Sequence, residues 1–437
     1  MTGKVTGRSP WWWIPTLYFA EGIPYFIVNN ISVTMFTKMG VPNGEMALFT
    51  SLLYLPWTLK PLWSPLVDIF RTKRWWIVMM QALVSAAFVL LALTLPSPET
   101  STQVPMSLFT FTLLLFVFAA FASATHDIAA DGFYMIALDS GQQSFFVGIR
   151  STFYRLSSIF GQGVLVVVAG VLEEKTGNIP LAWSLTIGLT AVIFTILTIY
   201  HSFALPRPAG DSAVSTDGSG SAGEFTKAFV SFFRKPGVWI AIIFMLLYRL
   251  PEAFLLKMVN PFLLSPASEG GLGLHTSLVG IVYGTIGVLA LTVGGIIGGM
   301  AASRWGLRKF LWPMAACMTL PCFTFVYLSM AMPHNLVIIS TCIAVEQFGY
   351  GFGFTAYMLF MMYFAEGEFK TSHYAICTAF MALSMMIPGA VAGYIQEWLG
   401  YTMFFWMVII CCLATVAVTS LVKVDPEYGK LLKDNKL

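Results

Sequence analysis

Apolar positions along the chain come in blocks of about 20 residues, the length that crosses a ~30 Å hydrocarbon core as helix. Bounded by charges or Pro/Gly clusters, the blocks cover residues 12–36, 46–68, 75–96, 106–131, 144–172, 180–203, 238–263, 275–300, 308–331, 336–362, 371–397 and 400–422. The pattern predicts an all-α polytopic membrane protein with twelve transmembrane helices in two pseudo-symmetric six-helix bundles. Between the sixth and seventh blocks, residues 206–223 are rich in Ser, Gly, Ala and Asp and read as a flexible linker. Just after it, Phe225, Phe229, Phe232 and Phe233 fall at helical spacing beside Lys227, Arg234 and Lys235, the signature of an interfacial helix. The predicted organisation is an N-terminal six-helix bundle over 1–205, a cytoplasmic linker with that interfacial helix over 206–237, a C-terminal bundle over 238–423 and a cytoplasmic tail over 424–437.

Composition agrees with the pattern. Only 10% of residues are charged and 57% are hydrophobic, against roughly 25% charged in a soluble domain, which excludes a water-soluble globule. The net charge of +3 is spread over short loops, so nucleic-acid binding is excluded too. If odd loops face out, 17 of the 24 Lys and Arg fall on the inner side, which puts both termini in the cytoplasm. The segment 1–10 lacks the apolar core of a cleaved signal, so the first block is expected to remain as a spanning helix. All six cysteines lie inside apolar blocks and read as packing residues. No loop is long enough for a catalytic domain, and neither a nucleophile with its base nor a metal-ligand set is apparent; the expectation is no enzyme, no cofactor and no metal.

The halves repeat each other. Ala169-Gly170, Glu174 and Gly177 match Ala392-Gly393, Glu397 and Gly400 at one offset of 223 residues, and Glu21 with Asn29 is mirrored by Glu252 with Asn260. Each of these last pairs is eight apart and so shares a helical face. Duplication of a six-span unit predicts a substrate site at the midplane between the halves.

After the second block come Ser64, Asp68, Arg71, Lys73 and Arg74, and after the eighth come Gly299, Ser303, Arg304, Gly306, Arg308 and Lys309. The two clusters resemble the loop signature of the major facilitator superfamily, with Ser64 in place of the family's Gly in one copy and Ser303 in place of its Asp in the other. Three further strings, Phe19-Ala20-Glu21-Gly22-Ile23-Pro24, Leu55 to Asp68, and Asp127-Ile128-Ala129-Ala130-Asp131-Gly132, are similar to the branch that holds AmpG-type muropeptide permeases and acetyl-CoA carriers. Enterobacterial members of the AmpG type carry additional spans beyond the twelve counted here. The resemblance implies proton-driven import of anhydromuropeptides, N-acetylglucosamine joined to anhydro-N-acetylmuramic acid with or without a stem peptide, across a bacterial inner membrane. An acetyl-CoA or other organic-anion carrier is the alternative, and a membrane sensor or enzyme the least favoured.

Ionisable groups inside a membrane cost at least ~2.5 kcal/mol on insertion scales and are functional candidates by default. Glu21 and Glu346 have no cation within a helical turn and are the leading proton-coupling candidates, joined by Asp127 and Asp131, four apart on one face. Arg150 and Arg155 on the next span are the expected partners of those aspartates, while Glu252 is expected to pair with Arg249. His126 and His373 read as hydrogen-bonding residues rather than coupling groups. Tyr25, Asn29, Asn30, Tyr54, Lys60, Arg155, Asn260, Gln347 and Tyr350 are the candidate substrate-binding residues. Amides and tyrosines suit sugar hydroxyls and acetamido groups, and a cation suits the lactyl carboxylate. Arg155 has two open roles, holding that carboxylate or neutralising Asp127. Asp68, Arg71, Arg150, Arg249, Glu252, Ser303 and Arg304 are expected to gate or latch the cytoplasmic side. Five intramembrane cations, Lys60, Arg150, Arg155, Arg249 and Lys257, face five carboxylates, Glu21, Asp127, Asp131, Glu252 and Glu346, a balance that argues for a substrate of low charge. Protons, a small molecule and membrane lipid are the expected partners of a monomeric carrier.

Overall fold

A computed structural model describes residues 9–95, 106–138, 140–208, 210–211, 221–367, 370–426 and 428. Residues 212–220 of the predicted linker, most of the predicted tail, and the side chain of Asp68 lie outside the described residues. The elements are helices throughout, and nine of those described are long and apolar enough to cross a membrane, fewer than the twelve expected. The last of them, over 373–421, is broken at Gly400, whose φ of 73° lies in the left-handed region open to glycine. The first two predicted blocks are helical, Ile14–Phe26 continuing to Lys38, and Asn43–Leu52 followed by Leu55–Ile69. They fall outside the nine because the first carries Glu21, Asn29 and Asn30, and the second is interrupted at Leu53–Tyr54 and carries Lys60.

Contacts divide the chain into two units, Met1–Val41 with Leu59–Gly218, and Pro42–Thr58 with Ser219–Leu437. The boundary departs from the sequence expectation in one segment: residues 42–58 pack with the C-terminal half. The reason is local. Asn43 donates to Gln396 Oε1 (2.7 Å) and the Tyr401 hydroxyl (3.1 Å), and the Gly44 amide donates to Glu397 Oε1 at 2.6 Å. Gly393 permits the approach, since a Cβ there would lie 1.8 Å from the Asn43 carbonyl oxygen.

In the first unit, Trp13, Ile14, Leu17 and Tyr18 bury against Phe133, Tyr134 and Ile77. The helix Lys73–Thr94 begins on the carboxylate of Asp211, which accepts from the amides of Lys73 (2.6 Å) and Arg74 (3.1 Å). An anion at a helix N-terminus satisfies otherwise orphaned N–H groups and opposes the dipole. In the second unit Phe244, Tyr248, Tyr357 and Phe360 form an aromatic core. The helix Ser221–Phe233 is anchored to it by Phe232, fully buried against Phe364, Phe380 and His373, while Phe229 stays exposed. Lys235 Nζ closes the attachment by donating to the carbonyls of Phe364 and Glu366.

The helix Leu336–Ala365 carries glycines that bring backbones together. A Cβ at Gly349 would lie 2.1 Å from Cys317 O and one at Gly351 2.0 Å from Leu291 O, so this glycine-rich stretch is close-packed. Among the described residues, three π-helical turns interrupt the long helices, at Ile27–Ile31, Ile159–Leu165 and Gly280–Gly287. Such turns concentrate at functional positions, and the first of them contains Asn29 and Asn30.

Candidate functional site

The first unit gathers Glu21, Asp127 and Asp131 into one cluster, with a carboxylate oxygen of each within 4.8 Å of the others. Residues 127 and 131 are one helical turn apart on Met106–Ala137, and Glu21 approaches from the first helix. Two cations answer the three acids. Lys60 Nζ donates to Asp127 Oδ2. Arg150 meets Asp131 at 2.6 Å, with its guanidinium 4.4 Å from the Tyr18 ring centroid and 5.5 Å from that of Tyr134. Tyr18 itself donates to Asp131 at 3.5 Å. Glu21 is buried, its Oε2 has no hydrogen-bond partner, and no cation lies within 4.0 Å of it among the described residues.

This pairing meets the expectation for Arg150 and departs from it for Arg155. Arg150, also a latch candidate, joins the carboxylate cluster, and Asp127 is neutralised by Lys60, not by Arg155. Helical geometry gives the reason: five residues separate Arg150 from Arg155, which puts them about 140° apart around the axis, so both cannot face the same pair of aspartates. Lys60, expected at the substrate, is held by Asp127. The trio also supplies a set of cation ligands that the spacing of residues in the sequence did not reveal. With two of its three charges already balanced, it has room for one positive charge, a proton or a monovalent ion.

Around this cluster, Asn29 Nδ2 donates to the Tyr25 carbonyl (3.1 Å) while its buried Oδ1 has no partner. Tyr25 packs edge-on to Phe26 and 6.4 Å from Tyr154. Asn30 and Arg155 are half-buried. Near the same helices, Gln81 bridges His201 and His126 at 3.0 Å each, and His201 reaches Thr16 at 3.0 Å. If Gln81 accepts from His201 Nδ1–H and donates to His126 Nε2, both imidazoles sit neutral as struts between helices.

The second unit holds a separate set. Arg249 clamps Glu252 through two hydrogen bonds of 2.8 and 2.6 Å, donates to the Tyr350 hydroxyl (3.0 Å) and lies 4.6 Å from the Phe354 ring centroid. Both partners are buried, and the pair ties the start of Leu250–Leu264 to the helix Leu336–Ala365. Glu346, also buried, accepts from Gln347 Nε2 at 2.8 Å and has no ion-pair partner among the described residues. Asn260 is buried with Oδ1 unpartnered, and Tyr54 lies beneath the ammonium of Lys257 at 5.8 Å.

Among the latch candidates, Arg71 and Arg304 sit at exposed helix ends. Arg71 has a positive φ of 64° and faces the Trp75 ring at 6.0 Å, and Arg304 lies 5.1 Å from the Trp305 ring centroid. Ser303 Oγ donates to the Met300 carbonyl at 2.9 Å. Lys73 is buried beneath Gly132, and Arg74 donates to the carbonyls of Leu205 (3.3 Å) and Ser202. Basic residues after the second block therefore hold the end of the first unit together. The sequence placed Lys257 among the intramembrane cations without a role at a site, and it pointed to neither Tyr18 nor Asp211. Lys257 carried a usable signal, a charge inside an apolar block; Asp211, in a polar linker, carried none.

A helical membrane fold with a partly buried acid–base cluster in one unit and a clamped ion pair in the other defines a multi-pass carrier. The Major Facilitator Superfamily model matches residues 16–372, and the chain belongs to that family. Its relatives include the anhydromuropeptide permease of Escherichia coli K12, 24% identical over 398 residues that cover 89% of this chain and 74% of that one. A Rickettsia conorii protein carrying the name AmpG 4 is 25% identical over 413 residues, 92% of this chain and 94% of that one. Among solved structures, a D-xylose–proton symporter superposes with a TM-score of 0.71 at 13% identity, covering 96% of this chain and 98% of that one. The nucleoside transporter NupG gives 0.67 at 14% identity, covering 93% and 96%.

Proposed function

We propose that the protein is a proton-coupled importer of anhydromuropeptides or a related amino-sugar disaccharide, working by alternating access as a monomer in a bacterial inner membrane with both termini in the cytoplasm. The observation that carries the coupling is the group of three carboxylates answered by two cations. Adding one proton completes its charge, and losing the proton restores a repulsion that a change of conformation can relieve. Glu21 is the member without a cation and is the proposed proton carrier, with Asp127 and Asp131 as its neighbours; Glu346 is the candidate in the second unit.

The substrate reading rests on the similarity to AmpG-type proteins and on side-chain chemistry. Tyr25, Asn29, Asn30, Tyr54, Arg155, Asn260, Gln347 and Tyr350 offer amides, aromatic faces and a guanidinium suited to an acetamido sugar acid. Three of the five intramembrane cations are taken up in ion pairs, which favours a ligand of low charge over a CoA thioester. Asp68 with Arg71, and Ser303 with Arg304, are the proposed cytoplasmic latch.

Uptake of labelled anhydro-disaccharide, free muramyl peptide and acetyl-CoA into energised vesicles tests the reading, with an imposed proton gradient, a sodium gradient or neither. Concentrative uptake of the disaccharide under the proton gradient alone is expected. Sodium-driven accumulation, or transport of acetyl-CoA in its place, would overturn it.

A further inference from the structure

Equal numbers of acids and bases within the helices do not translate into equal pairing. Lys60, Arg150 and Arg249 each hold a carboxylate. Lys257 does not: among the described residues no carboxylate lies within ion-pair distance of it, although it is buried. Its hydrogen-bonded neighbour is a neutral hydroxyl, Thr50 Oγ1 at 2.9 Å, and that hydroxyl already donates to the Met46 carbonyl. An ammonium has three donors, and a buried cation without a counter-charge is expensive.

Unsatisfied polar atoms lie around it. The Ser51 hydroxyl is fully buried with no hydrogen-bond partner, and so is Oδ1 of Asn260, three residues along the same helix. Gly389 borders both Lys257 and Ser51. A Cβ at that position would stand 2.6 Å from Ser51 Oγ and 3.2 Å from Lys257 Cε, so the absence of a side chain there is what lets Ser51 and Lys257 lie together against that helix. The Tyr54 ring lies under the ammonium and adds an aromatic surface. A cation, a hydroxyl and an amide, each short of partners, form the recognition set for a carboxylate attached to a polar body.

We infer that Lys257 is the anion receptor of the carrier, taking the carboxylate of the transported sugar acid, with Ser51 and Asn260 bonding the groups beside it. The assignment rests on the substrate reading above and goes beyond it by naming the cation that reads the acid. It gives Thr50 a defined part as well, holding the ammonium when no substrate is bound.

The test uses the purified full-length chain in detergent and two ligands, N-acetylglucosaminyl-anhydro-N-acetylmuramic acid and the same disaccharide with its lactyl carboxyl amidated. Wild type is expected to bind the acid at least about tenfold more tightly than the amide. Lys257→Met is expected to remove that preference, through a loss of about 10- to 100-fold for the acid and little change for the amide. Lys257→Arg should keep the preference. Thr50→Ala should keep it too, whereas a lysine serving only to tie two helices would make Thr50→Ala behave like Lys257→Met. If Lys257→Met fails to fold, Lys257→Gln carries the same readout. A preference retained in Lys257→Met or Lys257→Gln, or equal binding of both ligands by wild type, overturns the role of Lys257 and leaves the disaccharide reading intact. Absence of binding of either ligand by wild type overturns the disaccharide reading, and this assignment with it.

Discussion

Lys60 donates to Asp127, whereas Glu21, within 4.8 Å of the same carboxylate cluster, has no cation within ion-pair distance among the described residues. One acid of the group is thus locked and another is left to exchange its charge. A permanently paired carboxylate holds helices together, and an unpaired one in low dielectric is suited to load and release a proton.

Glu21→Gln is therefore expected to lower proton-driven accumulation by at least about tenfold while substrate binding and exchange persist, because the amide mimics the protonated acid. Glu346→Gln gives the same outcome if coupling lies in the second unit. Normal accumulation in both single variants, measured in energised vesicles, would contradict proton coupling through either residue.

Removing Lys60 alone leaves Asp127 uncompensated. Lys60→Met is expected to cost about 2 kcal/mol of stability, between the values for exposed and fully buried pairs, since both side chains are partly buried. Adding Asp127→Asn should recover most of the loss. A double variant no more stable than Lys60→Met in thermal melts would show that the pair is not a strut.

The Arg249–Glu252 clamp is more deeply buried, with both side chains at most 5% exposed. Arg249→Met is expected to cost ~3–5 kcal/mol, because a lone carboxylate then remains inside the protein. Arg249→Met with Glu252→Gln should be far less damaging. The double-mutant cycle, read from denaturation midpoints, measures the coupling directly.

Asp211 caps the helix that begins at Lys73 through two backbone amides. Asp211→Ala should cost about 1 kcal/mol and raise hydrogen exchange at the amides of Lys73 and Arg74 over that of the helix centre. Unchanged exchange at those two amides would exclude the cap.

For the latch, Asp68→Asn is expected to slow turnover and shift the population toward the inward-open state, with substrate affinity within about twofold of wild type. Accessibility of cysteines engineered on the cytoplasmic side is the readout. A large loss of affinity with unchanged accessibility would move Asp68 from latch to binding site.

The sequence by itself determined the class of the protein. Apolar blocks of membrane-crossing length, the central polar linker and the repeated loop clusters are properties of the local chain, and bilayer thickness allows few alternatives to helices. It also marked Glu21, Asp127 and Asp131 as exceptional, since any charge in such a block is costly, and Arg249 with Glu252, whose three-residue spacing brings them together on one helix. The tertiary structure decided the partners. Lys60 and Asp127 are 67 residues apart, and which helix face meets which neighbour is set by packing, down to glycines such as Gly393 that let backbones touch. That is why a count of five cations against five acids concealed Lys257, a base left with a hydroxyl for company, and could not show that Glu21 lies beside the other two acids. Residues 42–58 joined the C-terminal unit for the same reason: hydrogen bonds from Asn43 and Gly44 to a helix more than 350 positions away leave no trace in local pattern, because they depend on where two distant segments lie in space.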